Sequence, residues 1–159
     1  MRKGIAVIVA VVTPLAVVAT ALATTSSVVV TTFVRATLEG NKAHGRVNAS
    51  ADHIRLRTKG ATDVAVQTIT SPAGGSSGWH THPGIVLVAV HSGTVTRYDS
   101  HCKTTQFGPG QAFVESGDDA VLVRNNTTSD AVLYVTLIVP KSATLLRIDR
   151  PQPAGCSAS

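Results

Sequence analysis

The chain has 159 residues, which suits one domain, and its net charge of +5 comes from basic residues scattered along it. Only 14% of the residues are charged and six are aromatic, so the sequence offers neither the basic cluster nor the stacking surface that nucleic-acid binding requires. Thirteen glycines and seven prolines among many valines and threonines indicate strands and turns rather than helices.

Residues 1–23 have the pattern of an export signal. Arg2 and Lys3 provide a basic start, an apolar stretch follows, and an Ala-Leu-Ala sequence ending at Ala23 provides a cleavage site. Residues 4–23 are also almost long enough to span a bilayer, so an uncleaved membrane anchor is the alternative. Either interpretation places the remainder of the chain outside the cytoplasm, secreted or in the cell envelope.

After residue 24 the sequence predicts short strands separated by Gly/Pro turns, and no helix. We expect residues 24–34 to form a spacer that leads into the first strand, residues 35–150 to form one all-β domain, and residues 151–159 to form a tail. The run at residues 85–90 is continuously apolar, which predicts a strand buried on both faces. Regular spacing of such runs is typical of an antiparallel sandwich or barrel. The runs are residues 28–38, 53–58, 63–70, 85–90, 94–99, 111–115, 120–124 and 131–139.

The stretch GGSSGWHTHPG, residues 74–84, contains two histidines one residue apart. In an extended strand alternate residues project to the same side, so His80 and His82 would stand about 7 Å apart at the backbone, with rings able to meet at one ion. Two neutral imidazoles are half of a tetrahedral metal site. The alternative is a pair of hydrogen-bonded histidines inside the domain that hold no metal.

A third metal ligand is not specified by the spacing. The fold can direct five other residues toward the histidine pair, although each is more simply interpreted as a solvated residue at a turn or a strand end. These five residues are His91, His101, Glu115, Asp118 and Asp119.

The chain contains two cysteines, Cys102 and Cys156. In an exported protein an even number of cysteines indicates a disulfide, which would tie residues 151–159 to the middle of the domain. For a loop of about 54 residues the chain-entropy argument gives about 4 kcal/mol of stabilisation. Two unpaired thiols are the alternative, and a cysteine-based metal site is not supported because the CxxC spacing is absent.

The histidine stretch and two later segments resemble the conserved motifs of the cupin superfamily. Gly75 to Pro83, followed by an apolar strand and Ser92-Gly93, resembles the first cupin motif, and GPGQAFVE (residues 108–115) with DAVLVRN (residues 119–125) resembles the second. The sequence also resembles small exported actinobacterial cupin-domain proteins, with which it shares WHxHPG, GQAFV and a C-terminal RID…P…C pattern. The resemblance covers residues 35–156 and implies a single cupin-type jelly-roll β-barrel, also called a double-stranded β-helix.

Complete cupin metal sites use two histidines and a glutamate from the first motif and one histidine from the second. His80 and His82 match the first two ligands, whereas Val86 and Val121 stand where the resemblance places the glutamate and the last histidine. We therefore expect a degenerate site that holds one divalent transition metal (Zn, Fe, Ni or Cu) weakly or not at all.

These expectations leave three functional hypotheses. The first is a small-molecule binding barrel, for a sugar or an organic acid, whose pocket is lined by Val86, Val88, Phe113 and Val121. The second is a metal-dependent cupin enzyme, of the dioxygenase, isomerase or decarboxylase type, that uses the histidine pair. The third is an envelope-associated structural or interaction protein. The resemblance is also compatible with a homodimer, and the sequence contains no HExxH motif that would suggest another kind of metal enzyme.

Overall fold

The computed structural model describes residues 27–38, 44–49 and 52–157, and these residues form strands and turns with no helix. The prediction of an all-β fold is therefore confirmed, while the export segment predicted at residues 1–23 lies outside the described residues. Within those residues no helix is long and apolar enough to cross a membrane. In chain order the described strands are β1 (Val29–Leu38), β2 (His44–Ala49), β3 (Asp52–Arg57), β4 (Thr62–Ser71), β5 (His80–Thr81), β6 (Ile85–Ser92), β7 (Val95–Tyr98), β8 (Thr104–Phe107), β9 (Ala112–Glu115), β10 (Leu122–Arg124), β11 (Ala131–Pro140) and β12 (Ile148–Asp149).

A five-stranded antiparallel sheet in the order β1-β4-β11-β6-β9 forms the larger layer. Its central strand, β11, pairs with β4 along its whole length and with β6 on its other side. Strand β6 in turn pairs with β9, where Val86 lies opposite Glu115. This register places the end of β9 beside the start of β6, which is where the candidate site is built.

The second layer consists of shorter strands. Strands β10, β7 and β8 form a three-stranded sheet, and β12 and β5 form a two-stranded sheet. Backbone bridges between Ser76 and Arg124 and between His80 and Val121 join these two sheets. Because residues of β7, β8 and β10 share one buried cluster with the five-stranded sheet, the two layers face each other. Strands β2 and β3 pair antiparallel in a two-stranded sheet of their own.

Strand β6 is buried on one face only. Val86, Val88 and Val90 are at most 5% exposed, whereas Ile85 and Leu87 are 43% and 44% exposed. The prediction that this strand is buried on both faces is therefore wrong. Its inner side chains meet the second layer, and its outer side chains remain open in the described part of the chain, so the strand alternates although every residue from 85 to 90 is apolar.

The inner face of the five-stranded sheet packs against the second layer to form the core. Valines and leucines of β6 and β11 share a buried cluster with Val95 of β7, and Phe107 and Val123 pack against it. Each fully buried side chain of this size contributes about 1.5–3 kcal/mol. A second, smaller cluster contains Trp79 and Cys156, and the complete burial of Trp79 makes it a packing residue.

The C-terminal tail is fastened to the layer that carries the histidines. A disulfide joins Cys102 to Cys156, as the sequence predicts. Strand β12 pairs antiparallel with β5, with Asp149 opposite His80, and the backbone N–H of Arg150 donates to the carbonyl of Trp79 at 2.9 Å. The tail therefore runs alongside the histidine segment, and the disulfide is consistent with an extracellular location.

Gly84 connects the histidine segment to β6 at a point of close approach. A Cβ atom at this position would collide with the backbone of Ile138 and Val139 in β11. Glycine therefore lets the chain pass from β5 into β6 this close to the central strand, which fixes the position of the histidines relative to the sheet.

Candidate metal centre

His80 and His82 project to the same side of the segment that begins with β5. Their ring centroids are 4.9 Å apart and their ring planes are nearly perpendicular, at 86°. Both rings are largely buried, with side-chain exposures of 6% and 10%. Trp79, which alternates with them, belongs instead to the cluster around Cys156. The alternation of an extended chain thus brings the two imidazoles together.

Glu115 is the third member of the cluster. Its Oε2 atom lies 3.2 Å from Nε2 of His82 and 3.6 Å from Nε2 of His80, and the candidate ligand atoms of the three residues all lie within 4.8 Å of one another. The expectation that Glu115 is a solvated residue is wrong, because the residue is only 4% exposed. Strand β9 alternates, so Phe113 and Glu115 face inward while Val114 faces outward.

The carboxylate reaches the site from a different strand than the motif suggests. The sequence places Val86 at the glutamate position of the first motif, and Val86 does lie at the site, where it lines the cavity. Glu115 is its direct partner across the β6–β9 ladder. A carboxyl group missing from one strand is thus supplied by the residue opposite. The signal in the sequence was the alternation of Phe113, Val114 and Glu115, but the register between strands was not readable.

Backbone carbonyls orient both imidazoles and fix which ring nitrogen carries a hydrogen. The Nδ1 atom of His80 lies 2.9 Å from the carbonyl oxygen of Gly78, and Nδ1 of His82 lies 2.6 Å from that of Leu146. A carbonyl only accepts, so each Nδ1 carries the hydrogen and donates. In the neutral rings both Nε2 atoms are then bare acceptors directed at the carboxylate of Glu115, which is also an acceptor. Such a cluster requires either additional protons or a cation.

Glu115 is ionised at this site. Burial alone would raise its pKa, but when the Nε2 atoms of His80 and His82 are protonated, their hydrogen bonds and charges outweigh burial and lower the pKa of Glu115 to about 2. Its Oε1 atom is buried and has no hydrogen-bond partner among the described residues. A buried carboxylate with one unpaired oxygen is costly in free energy unless a positive charge compensates it.

The cluster opens into a cavity of about 360 Å³ between the two layers. Of the four residues that the sequence assigns to a pocket, Val86, Val88 and Phe113 line this cavity. Val121 does not, because it lies beside His80, with which it exchanges two backbone hydrogen bonds, and Val123 contributes to the lining instead.

Two groups of residues form the walls beside the cluster. We call the lining residues of the five-stranded sheet, which include Val86, Glu115 and Leu137, the sheet wall. We call residues 77–82, with Leu146 and Arg147, the tail wall, because the last two belong to the segment that leads into β12. No motif in the sequence places Leu146 at the site, and Arg147 belongs only to the C-terminal RID…P…C pattern.

The other candidate ligands lie away from the cluster. His91, His101, Asp118 and Asp119 are exposed, and the ring of His91 stacks on Tyr134 with a centroid distance of 5.0 Å. In the part of the chain that the structure describes, His80, His82 and Glu115 are the group found with a geometry able to hold a metal ion.

No protein-family model matches the chain, and no curated protein matches it at the required significance. Similar solved structures include an uncharacterised double-stranded β-helix protein from Klebsiella pneumoniae, at 16% identity and a TM-score of 0.47, over 71% of this chain and 89% of that one. A cupin 2 conserved barrel domain protein from Leptotrichia buccalis matches at 16% identity and a TM-score of 0.44, over 67% of this chain and 41% of that one.

Peruvianin-I, a cysteine peptidase from Thevetia peruviana latex, matches at 17% identity and a TM-score of 0.48, and the match covers 56% of each chain. This chain therefore spans little more than half the length of peruvianin-I. Several of the similar structures are described as cupin or double-stranded β-helix proteins. These similarities concern the fold alone.

Proposed function

We propose that this chain is an exported cupin-type barrel that binds one divalent transition metal through His80, His82 and Glu115 and presents it to a small molecule in the adjoining cavity. The observation that carries the proposal is the orientation of the donors. Both Nδ1 atoms are committed to backbone carbonyls, so both Nε2 atoms and a buried carboxylate oxygen converge on one point. Carbonyl support of this kind is the usual way in which metal-ligating histidines are held.

The donor set favours a transition metal. Two imidazoles and one carboxylate suit Zn, Fe, Ni or Cu, whereas Mg and Ca prefer oxygen ligands alone. Three protein ligands leave coordination positions open, as in catalytic rather than structural metal sites. With a third ligand in place, we expect tighter binding than the degenerate pair of histidines would give, and the open positions favour a metal-dependent enzyme as the second candidate function.

The residues of the chain have distinct tasks in this proposal. The carbonyls of Gly78 and Leu146 hold the two rings, and the carboxylate of Glu115 offsets part of the charge of the metal. Apolar side chains such as Val86 and Phe113 limit the access of water. A bound metal would supply Lewis acidity toward an oxygen of the small molecule.

Export is also part of the proposal. The disulfide between Cys102 and Cys156 and the signal-like residues 1–23 both support it. Amino-terminal sequencing of the protein recovered from the medium and from the membrane fraction distinguishes a cleaved signal, which gives a new terminus after Ala23, from an intact anchor.

The test of the metal site is the metal content of the purified protein. The chain is produced with its own export segment, purified without a histidine tag or chelator, and analysed for transition metals by mass spectrometry. We expect about one metal per chain, lost in His82→Ala and in Glu115→Gln and retained in His91→Ala, which removes an exposed histidine. If the native chain stays metal-free after Zn, Cu, Ni and Fe are added, the cluster is a protonated imidazole–carboxylate network and the proposal is wrong.

A further inference from the structure

One cationic side chain, Arg147, lies in the wall of the cavity beside the metal cluster. A terminal nitrogen of its guanidinium donates to the carbonyl of Ser77, whose hydroxyl oxygen lies 3.4 Å from Nδ1 of His80. The residue before it, Leu146, provides the carbonyl that holds His82. The guanidinium therefore stands within the same tail wall as both histidines.

Arg147 keeps unused hydrogen-bond donors. A guanidinium has five N–H groups, and the described contacts are with Ser77 and with Asp149. The side chain of Asp149 is 70% exposed, so solvent screens this ion pair and leaves much of the positive charge of Arg147 uncompensated. Nε has no hydrogen-bond partner among the described residues, and the side chain of Arg147 as a whole is 31% exposed.

The charges around the cavity favour an anion once a metal is present. A divalent metal and Arg147 together outweigh the carboxylates of Glu115 and Asp149 by one positive charge. The remaining polar lining residues, Gln67 and Ser71 among them, are neutral. An anionic ligand complements this balance, whereas a cationic ligand would be repelled.

The rest of the cavity is apolar. Eleven of its eighteen lining residues are valine, isoleucine, leucine or phenylalanine, so the hydroxyl groups of a sugar would be buried there without partners. A dry apolar cavity of about 150 Å³ admits benzene. The cavity here measures about 360 Å³, which is large enough for a ring and a short acidic chain.

We propose that the site takes a small monocarboxylic acid with an apolar body, and that Arg147 holds the carboxylate while the body lies against the sheet wall. This inference rests on the proposed metal site and deepens it, because it names the class of ligand and excludes sugars. Arginine suits the role, since its planar fork binds both oxygens of a carboxylate.

The test compares acids with neutral molecules of the same shape. Isothermal titration of the full metal-loaded chain is carried out with phenylacetate and 3-phenylpropionate and with the matched phenylacetamide and 2-phenylethanol. We expect the acids to bind at least about tenfold more tightly than their neutral counterparts. Equal binding of acids and neutral molecules, or no binding of either acid, would overturn the inference, and neither result depends on a mutant that must fold.

Variants then assign the preference to one side chain. We expect Arg147→Gln to weaken acid binding by about 10- to 100-fold and to leave the neutral ligands unchanged, since charge-assisted hydrogen bonds are lost. Arg147→Lys keeps the positive charge but lacks the planar fork of arginine, so its affinity for the acids should lie between those of the native chain and Arg147→Gln. The matched control is Arg150→Gln, because Arg150 contacts Thr81 and does not line the cavity. An unchanged acid affinity in Arg147→Gln would contradict the assignment.

The metal content separates this inference from the proposed function. If the chain holds one metal but does not prefer acids, the metal proposal stands and the assignment of a carboxylate site is wrong. If the chain prefers acids through Arg147 but holds no metal, the carboxylate site stands and the metal proposal is wrong. Thermal unfolding of each variant, compared with the native chain, shows whether a loss of binding reflects a loss of fold.

Discussion

The sheet wall and the tail wall of the cavity are held in place by different forces. The sheet wall belongs to strands of up to ten residues, and its side chains lie in the larger buried cluster. The tail wall depends on the two-residue strands β5 and β12, on a few side-chain hydrogen bonds and on one disulfide. Glu115 lies in the sheet wall and both histidines lie in the tail wall. The three side chains therefore come together only while the tail wall is held against the sheet wall.

The largest expected effect comes from releasing the tail wall. Replacing both Cys102 and Cys156 by serine removes a cross-link over 54 residues and should lower the free energy of unfolding by up to about 4 kcal/mol. Because Leu146 then no longer holds His82 firmly, metal affinity should fall by about 10- to 100-fold. Chemical denaturation and competitive metal titration measure the two effects.

The control for the disulfide is the native chain treated with reductant, which should reproduce both losses without a mutation. If metal affinity is unchanged in the double variant, the pairing of β12 with β5 and the hydrogen bond from Arg150 to Trp79 are sufficient to hold the tail.

Lowering the pH should have a smaller effect on stability, because protonation of Glu115 weakens its attraction to the two histidines of the tail wall. The pKa of Glu115 is about 2 in the folded chain and 4.5, its ordinary value, in the unfolded chain. Between these two pH values Glu115 is ionised in the folded chain but protonated in the unfolded chain. The unfolded state therefore binds more protons in this window, and the stability that Glu115 contributes is present above pH 4.5 and lost as the pH falls toward 2. In metal-free protein the loss should reach up to about 3 kcal/mol.

Unfolding curves at several pH values, recorded with chelator present, measure the slope of the free energy of unfolding against pH. Glu115→Gln should flatten it, whereas Asp118→Asn, which removes an exposed carboxylate of the same charge, should leave it unchanged. An identical slope in the native chain and in Glu115→Gln would show that other groups govern acid unfolding.

The smallest of the three effects concerns the sheet wall. Leu137→Ala removes a side chain that is 1% exposed and should lower the free energy of unfolding by about 2–3 kcal/mol. We expect the lower part of the usual range because Leu137 already borders a cavity. Unlike the cysteine variants, this one should keep its metal affinity as long as it is folded, as measured by thermal unfolding and metal titration.

Leu87→Ala provides the matched control, since Leu87 lies on the outer face of the same sheet and is 44% exposed. Leu87→Ala should lower the free energy of unfolding by less than about 1 kcal/mol. A Leu137→Ala variant that loses metal affinity while its fold is intact would mean that the packing of Leu137 itself helps to position the ligands.

Local patterns in the sequence predict the fold class and half of the site. The strand runs, the disulfide and the same-sided projection of His80 and His82 follow from alternation, cysteine number and spacing. Of the described strands, β2, β8 and β12 were not predicted, and two of these have at most four residues, too few to show a period. The export segment, the domain limits and the homodimer remain predictions.

The other half of the site depends on contacts between distant segments. Glu115 joins the two histidines through the register of β9 against β6, and Leu146 and Arg147 reach the site because the tail folds back along β5. None of these pairings leaves a local trace in the sequence. The apolar run at residues 85–90 misled for a related reason, because composition alone does not reveal that one face of the sheet stays open.

The carbonyl that holds His82 comes from Leu146, which lies 64 residues later in the chain. Because a chain is made from its amino terminus onward, both histidines are synthesised well before this carbonyl and before Cys156. The two rings therefore do not reach their final orientation until β12 has been made and has paired with β5. We expect a metal to bind with the geometry described above only after this pairing, so the metal would be taken from the ions available where the disulfide forms.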